Sequence, residues 1–194
     1  MPTSTRQAGS LAPAATASIE RNAMDLTAAV ETIARAEPQA IVMVALYKQA
    51  SEFMTRMRHT GLRPRYMAVS TVGTDQMIAQ MGEGARGIGV SQVMPYPWND
   101  TATVVHEYQR LIAQGDASVD FSYSGIEGYV TIKLVIEALR KAGPELSRER
   151  FVDTLEGLRQ FDLGGFRVSY SPTDHGGSTF VDLMVIGEGG RVRR

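Results

Sequence analysis

A run of six apolar residues, 41–46, constrains the fold of this chain more than any other feature of its sequence. Polar and apolar residues do not alternate within the run, and Pro38 stands shortly before it. A strand with one face in water alternates, whereas a strand with both faces covered does not. The run therefore predicts a strand that is buried on both faces, as in a parallel sheet.

Helical and strand patterns alternate through the first half of the chain. Helices are predicted at 25–37, 48–60 and about 75–81, and further strands at 65–69 and 88–94. In each helix the apolar residues recur every three to four positions, and each strand is short. This alternation is typical of an open α/β sheet, in which right-handed crossovers place helices against the strands.

The second half of the chain is organised differently. Helices are predicted at 103–114, at 126–139 and from Ser147 onward. The helix at 126–139 is apolar nearly all round, so it needs cover on several sides. An alternating segment at 166–170 and an apolar segment at 180–186 follow, with a turn between them, and they predict an antiparallel ribbon.

Composition excludes several classes of function. Lys plus Arg number 20 and Asp plus Glu number 21, giving a net charge of −1, so no attraction to nucleic acid or an anionic membrane is expected. The absence of Cys excludes disulfides, thiolate zinc sites and thiol catalysis. Residues 1–17 form an irregular segment in which Pro2 and Pro13 interrupt any signal-like apolar stretch. The chain as written is therefore expected to carry no export signal and to be cytoplasmic if expressed in this form.

No motif in the sequence predicts catalysis, a cofactor or a metal site. Residues 82–87 match G-x-G-x-x-G, but these glycines follow a helix and lead into a strand, the reverse of the dinucleotide-binding context. His59, His106 and His175 are not spaced as zinc ligands on one helix face. No G-x-S-x-G elbow occurs. We therefore expect a protein that is not an enzyme, with no catalytic residue, cofactor or metal.

Two loops occupy the place where an open parallel sheet binds ligands, beyond the carboxyl ends of its strands. Tyr47 follows the first strand and supplies an aromatic face and a hydroxyl group. Ser70, Thr71, Val72 and Gly73 follow the second strand and supply hydroxyl groups and closely approachable backbone. These five residues are the predicted ligand-binding site, suited to a small zwitterion. Polar loops without any ligand would explain the same residues equally well.

Several blocks of the sequence resemble one known family, and they occur in the family's order. They are Ser18-Ile19-Glu20-Arg21-Asn22, Ala40 to Lys48, Met57-Arg58-x-x-Gly61, Gln92-Val93-Met94-Pro95-x-Pro97-Trp98, Glu127-Gly128-Tyr129, Phe161-Asp162-Leu163-Gly164-Gly165, and Ser171-Pro172-Thr173-Asp174-His175 with Gly177-Ser178. From about residue 8 to its end, the chain resembles the C-terminal portion of type I periplasmic solute-binding proteins. These are the proteins that serve Leu/Ile/Val (branched-chain amino-acid) ABC transporters.

The resemblance implies a two-lobed periplasmic protein that closes on an amino acid or a related small carboxylate and delivers it to an ABC permease. It also implies that Tyr47 and the loop at 70–73 face the cleft between the lobes. In the leucine-binding members an acidic residue of this loop holds the ligand's amino group, and Ser70–Gly73 contains none. A carboxylate that is not an amino acid is therefore also compatible with this loop.

Family members are nearly twice as long, so the resemblance implies a truncated chain whose N-terminal lobe, with the first strand and helix of the C-terminal lobe, would precede residue 1. Residues 18–120 then correspond to the α/β sheet of the C-terminal lobe, 121–160 to helices that pack on the missing lobe, and 161–194 to a C-terminal β-ribbon. We expect an incomplete ligand site, and self-association through the uncovered helix at 126–139. The alternative hypothesis is a stand-alone α/β domain that senses a ligand or binds a protein.

Overall fold

The computed structural model describes residues 12–98, 101–115 and 118–194. Its helices are α1 (Thr27–Arg35), α2 (Tyr47–His59), α3 (Thr74–Met81), α4 (Thr103–Gln114), α5 (Tyr123–Ala142) and α6 (Arg148–Glu156). Its strands are β1 (Ala40–Met43), β2 (Arg65–Val69), β3 (Gly89–Gln92), β4 (Phe161–Asp162), β5 (Arg167–Ser171), β6 (Asp174–Gly177), β7 (Asp182–Ile186) and β8 (Val192–Arg193). No helix in these ranges is long and apolar enough to cross a membrane.

The strands of the first half form the parallel part of a five-stranded sheet, in the order β1-β2-β3-β7-β8. β1 pairs in parallel with β2, and β2 in parallel with β3. The crossovers between them contain α2 and α3. The parallel sheet predicted from the alternation of elements is thus confirmed, although β1 and β3 are shorter than the predicted 41–46 and 88–94.

The predicted ribbon between 166–170 and 180–186 is wrong. β5 pairs instead with β4 and β6, in a separate antiparallel sheet. β7 joins the main sheet antiparallel to β3, with Val90 opposite Met184. Met184 and Ile186 complete the main core there, which buries more apolar surface than a hairpin on the outside would. The tight turn before Asp174 folds β5 onto β6, so 180–186 lies beyond the reach of that turn.

One face of the main sheet carries α1, α2 and α3. Buried strand residues such as Met43, Ala68 and Val90 pack there with Met54 of α2 and Met77 of α3 in a single core. Successive side chains of a strand point to opposite faces of the sheet. The strand residues that alternate with these buried ones therefore form the other face. That face is not covered by a helix in the described ranges.

The expectation that β1 is buried on both faces is therefore wrong. Its burial alternates, with Ile41 and Met43 buried. In contrast, Val42 is 74 % exposed and Val44, just beyond the strand, is 81 % exposed. The physical reason is that no described element packs on this second face of the sheet, where Leu183 and Val185 of the inner strand β7 are exposed as well.

A second core lies between α4, α5 and the sheet β4-β5-β6. It includes Val104, Tyr108, Ile126, Phe166 and Val168. The N-cap of α5 is formed by Ser122, whose side-chain oxygen accepts a hydrogen bond from the backbone N–H of Gly125 at 2.9 Å. α5 thus has one buried side, packed against α4.

The other side of α5 is open, as its sequence predicted. Ile132, Ile136 and Leu139 are all exposed there. Ile132 and Ile136 line a shallow groove between α4 and α5 with a volume of about 560 Å³. Part of the apolar surface of α5 is therefore left uncovered by the second core.

Candidate functional site

The predicted ligand residues lie where the parallel strands β1 and β2 end. Leu46 has an extended backbone, and the chain then turns directly into α2, which begins at Tyr47. β2 runs into a 3₁₀ turn, Ser70–Val72, which ends at Gly73. Because β1 and β2 are neighbouring parallel strands, both turns emerge at the same edge of the sheet.

Gly73 brings the two turns into contact. Its φ is +74°, in the left-handed region, and it separates the 3₁₀ turn from α3. A Cβ atom at this position would lie 3.8 Å from Cδ1 of Tyr47 and 2.8 Å from Oε1 of Gln76. The structure therefore places Tyr47 against the loop, and any other residue at 73 would be strained.

The five predicted residues are not equally available to a ligand. Tyr47 and Ser70 are half-buried and Thr71 is exposed. Val72 is 1 % exposed and belongs to the main core. The 3₁₀ turn directs its side chain into this core, and its place in the ligand site stays a prediction.

A buried hydrogen bond fixes the loop to the next strand. Nε2 of Gln92, at the end of β3, donates to Oγ1 of Thr74 at 3.0 Å, and both residues are buried. A buried amide is stable only when it is paired, so this bond holds the start of α3 against β3. Sequence reasoning missed the pair, because nothing in the local pattern shows that two polar side chains 18 positions apart meet in the interior.

An aromatic cluster stands beside the loop, on the segment that leaves β3. The ring centroids of Tyr96 and Trp98 are 5.0 Å apart, and those of Trp98 and Tyr123 are 5.8 Å apart. The hydroxyl of Tyr96 donates to the backbone oxygen of Val192 at 2.8 Å. Burial raises the pKa of the Tyr123 hydroxyl above its usual range, so this side chain stays neutral at physiological pH. The cluster ties the start of α5 to the end of the main sheet.

Asp75 is a second residue that sequence reasoning missed. It lies in the first turn of α3, two positions after Gly73. Burial raises the pKa of its carboxyl group, and its charge contributes to the raised pKa of Tyr123. Within the described ranges Asp75 has no hydrogen bond or ion pair to compensate that charge. The sequence does show an acidic residue beyond the loop, but its half-buried position depends on the tertiary fold.

The glycine-rich segment at 82–87 forms a turn. Gly82–Ala85 is a 3₁₀ turn that directly follows α3 and precedes β3. Oε1 of Glu83 accepts a hydrogen bond from the backbone N–H of Gly189 at 3.0 Å. The segment thus follows a helix and precedes a strand, and a dinucleotide site requires the reverse order.

A family model described as "Periplasmic binding protein" matches residues 5–191, nearly the whole chain. The chain belongs to the periplasmic binding protein family. No match was found among the curated proteins. This match and the solved structures confirm two predictions from the sequence. They are the type I fold and the resemblance to Leu/Ile/Val-binding proteins.

Three solved structures illustrate the similarity. A substrate-binding periplasmic protein from Ralstonia solanacearum is 33 % identical, with a TM-score of 0.76 over 89 % of this chain and 50 % of its own. A possible leucine/isoleucine/valine-binding protein from Rhodopirellula baltica SH 1 is 28 % identical, with a TM-score of 0.83 over 91 % and 48 %. A branched chain amino acid ABC transporter protein from Thermus thermophilus, solved with bound valine, shares 15 % identity, a TM-score of 0.67 and coverage of 90 % and 49 %. The last likeness concerns the fold alone, and the chain spans about half the length of each protein.

Proposed function

We propose that this chain carries one wall of the ligand site of a solute-binding protein, which serves an ABC importer for branched-chain amino acids or related small carboxylates. The observation that carries the proposal is the convergence of Tyr47 and Gly73 at the carboxyl ends of β1 and β2, where a Cβ atom added to Gly73 would lie 3.8 Å from Cδ1 of Tyr47. In open α/β sheets this edge is the usual place for a ligand. The 28 % identity to a possible leucine/isoleucine/valine-binding protein from Rhodopirellula baltica SH 1 supports an amino acid as the ligand class.

The groups at this edge suit a small zwitterion. The hydroxyls of Tyr47, Ser70 and Thr71 can donate hydrogen bonds to a carboxylate. Asp75, two positions after Gly73, adds a negative charge in the first turn of α3, and that charge lacks a partner cation in the described ranges. A half-buried carboxylate gains most from a positively charged group. Asp75 is therefore our candidate for the ligand's amino group, in place of the acidic residue that Ser70–Gly73 lacks.

A single wall binds weakly. A solute-binding cleft surrounds its ligand, and each wall supplies part of the contact free energy. Micromolar binding corresponds to about −8 kcal/mol, and half of that corresponds to roughly millimolar binding. We therefore expect this chain alone to bind valine or leucine only in the millimolar range. The periplasmic location and the permease partner belong to the intact protein, and we propose both for it on the strength of the family.

The test is a titration followed by two-dimensional NMR, which detects millimolar binding. Valine and leucine are expected to shift the backbone signals of 47–49 and 70–76, and Tyr47→Ala is expected to abolish the shifts. In a full-length relative, the equivalent change should weaken binding by about 1–3 kcal/mol, since a buried aromatic contact and its hydroxyl are lost. Leu111→Ala is the matched control, because Leu111 is exposed on α4, in the other half of the chain.

Asp75 is tested separately with a pair of ligands. Asp75→Asn should weaken the response to leucine and leave the response to 4-methyl-2-oxopentanoate, the corresponding acid without an amino group, unchanged or stronger. Equal losses for both ligands would exclude a role for Asp75 in holding the amino group. Shifts that lie away from 47–49 and 70–76 would exclude the site itself.

The stand-alone interaction domain remains a second candidate function. The observation that favours it is the large exposed apolar surface of the molecule, on α5 as well as on the main sheet. Self-association through Ile132, Ile136 and Leu139, which we expect of the truncated chain, would use part of the same surface. Sedimentation of wild type beside Ile132→Lys tests it, because a dimer that uses this helix should become a monomer in the variant.

A further inference from the structure

The edge of the main sheet at which the parallel strands begin is rich in arginine, and we call it the basic edge. It lies opposite the edge of the proposed ligand site, where the same strands end. The segments that lead into β1, β2, β3 and β8 carry its six arginines, which are Arg35, Arg58, Arg63, Arg65, Arg86 and Arg191. The same segments carry three acidic residues, Glu37, Glu83 and Glu188. The basic edge therefore has an excess of positive charge, although the whole chain has a net charge of −1.

None of the six arginines of the basic edge forms an ion pair with a described residue. Two of them bond to backbone oxygens instead. Nη2 of Arg58 donates to the backbone oxygen of Gly84. Nη1 of Arg63 donates to the backbone oxygens of Arg58 and Leu62, at 2.9 Å and 2.8 Å. Within the described ranges each of these guanidinium groups therefore keeps further nitrogen donors for the oxygens of an anion.

The glycine-rich turn at 82–85 gives Arg58 its position. A Cβ atom at Gly84 would lie 2.9 Å from Nη1 of Arg58, closer than non-bonded atoms normally approach. A larger residue at 84 would therefore push the guanidinium group away from the backbone oxygen that it binds. The bond links the end of α2 to the turn that precedes β3. Gly84 thus holds one cation in place at the basic edge.

The hydroxyl of Tyr66, on β2, is buried without a hydrogen-bond partner among the described residues, and the residue is 8 % exposed. The charges of Arg58 and Arg63 both act on this hydroxyl, so both guanidinium groups lie near it. Burial raises the pKa of the Tyr66 hydroxyl, so the group stays protonated and able to donate. Guanidinium groups cannot accept a hydrogen bond, and buried polar groups are rarely left unpaired. The hydroxyl therefore needs an acceptor that its two cationic neighbours cannot supply.

A phosphate group suits these donors better than a carboxylate does. A phosphate ester presents three acceptor oxygens and a charge of about −1.5 to −2 at pH 7, whereas a carboxylate presents two oxygens and a single charge. Two guanidinium groups and one hydroxyl are three separate donor groups, and guanidinium groups bind phosphate oxygens in pairs. The excess charge of the basic edge attracts such an anion over longer distances as well.

We propose that Arg58, Arg63 and the hydroxyl of Tyr66 form a binding site for a phosphate group. Arg63 is exposed, so the phosphate group reaches the buried hydroxyl when this side chain moves aside. The group belongs either to a small molecule or to a lipid headgroup, since both present the same oxygens. The site shares no residue with Tyr47 and 70–76, so it stands or falls independently of the proposed function.

The first probe is inorganic phosphate, added to the full chain at constant ionic strength with chloride as the balancing anion. In two-dimensional NMR we expect the backbone signals of 58–66 and 82–85 to shift and to saturate. Phosphate also stabilises proteins in general, because it is excluded from their surface. The position and the saturation of the shifts therefore identify the site, and a gain in thermal stability alone does not.

Tyr66→Phe is the discriminating variant, because it removes the hydroxyl and keeps the ring in the main core. It should weaken phosphate binding about tenfold, the loss expected for one hydrogen bond to a charged group. Without phosphate the variant should be at least as stable as wild type, since an unpaired buried hydroxyl is removed, whereas a purely structural role would lower its stability. Arg63→Gln should weaken binding at least as much. Arg148→Gln is the matched control, because Arg148 is exposed on α6, and it should bind like wild type.

Vesicles of phosphatidylglycerol, compared with vesicles of phosphatidylcholine, distinguish the two sources of the phosphate group. Sedimentation with the phosphatidylglycerol vesicles that is lost in Tyr66→Phe and Arg63→Gln would identify a lipid headgroup. Saturable binding of inorganic phosphate without such sedimentation would identify a small molecule. Three results would overturn the proposal. They are the absence of saturable binding to both probes, equal affinity of Tyr66→Phe and wild type, and shifts that lie away from 58–66 and 82–85.

Discussion

The two faces of the main sheet carry similar apolar side chains, but only one of the two faces is buried. Along β7, Leu183 and Val185 face outward and are largely exposed, whereas Met184 and Ile186 face inward and are almost completely buried. All four side chains are apolar, and they alternate within five residues of one strand. What separates them is the set of helices, because α1, α2 and α3 cover only one face. Hydrophobicity shows that a strand can be buried, and the neighbouring elements decide whether it is.

The difference bears on stability. The covered face holds the sheet together, so changes there act on folding. The opposite face, which carries Val42, Leu183 and Val185, is largely exposed, so it contributes little to folding. The comparison between the two faces gives direct ways to test this difference.

The largest expected effect separates two neighbours on β7. Met184→Ala should lower the free energy of unfolding by about 2–5 kcal/mol, because it removes a buried side chain and leaves a cavity. Leu183→Ala should change it by less than about 0.5 kcal/mol, as is usual for a surface substitution. Urea denaturation of both variants measures the difference. Similar losses in the two would show that the face carrying Leu183 is covered in solution.

A second pair of variants compares a closely packed position and an open position on α5, about one helical turn apart. A Cβ atom at Gly125 would lie 2.3 Å from Oη of Tyr108, whereas at Gly128 no atom stands within 4 Å. Gly125→Ala should therefore destabilise the protein by about 1–3 kcal/mol through overpacking. Gly128→Ala should stabilise it by about 0.5–1 kcal/mol, since alanine is the better helix former. Thermal denaturation gives both signs, and a loss in both would mean that the open side of α5 is in fact packed.

The parts of the fold that follow from local order could be predicted from sequence. Helices and strands alternate through β1, β2 and β3, and the short connections leave a parallel arrangement as the natural solution. For the same reason the sequence predicted that Tyr47 and the loop ending at Gly73 would meet, since each follows the carboxyl end of a neighbouring strand. The structure brings the two positions close together, and their role in binding a ligand stays a prediction.

The features that depend on distant pairing could not be predicted. Met184 pairs with Val90 across more than ninety positions, and the nearby turn favoured a local partner instead. The burial of Val72, the bond between Thr74 and Gln92, and the half-buried state of Asp75 have the same origin. In each case the surroundings come from remote segments, so a window of sequence contains no signal for them.

The smallest expected effect concerns two aspartates whose pKa values are shifted in opposite directions. Burial raises the pKa of Asp75 in the folded protein. The folded state then binds the proton of Asp75 more tightly than the unfolded state does, so stability decreases as the pH rises from the unfolded pKa through the folded one. Asp75→Asn removes this penalty and should stabilise the protein at pH 7, with a gain that vanishes below about pH 4, the usual pKa of an aspartate.

Asp162 is the matched control with the opposite sign. The backbone N–H groups of Gly165 and Gly164 donate to its Oδ1 at 2.6 Å and 2.8 Å, and these bonds lower the pKa of its carboxyl group. Its contribution to stability is therefore present above the unfolded pKa and is lost as the pH falls through the folded one. Asp162→Asn should destabilise the protein at pH 7 and have no effect in strong acid. Urea midpoints of both variants from pH 3 to pH 7 should thus diverge from wild type in opposite directions as the pH rises. If Asp75→Asn instead destabilises the protein at pH 7, its charge is already paired in solution, and Asp75 is then not available to hold a ligand's amino group.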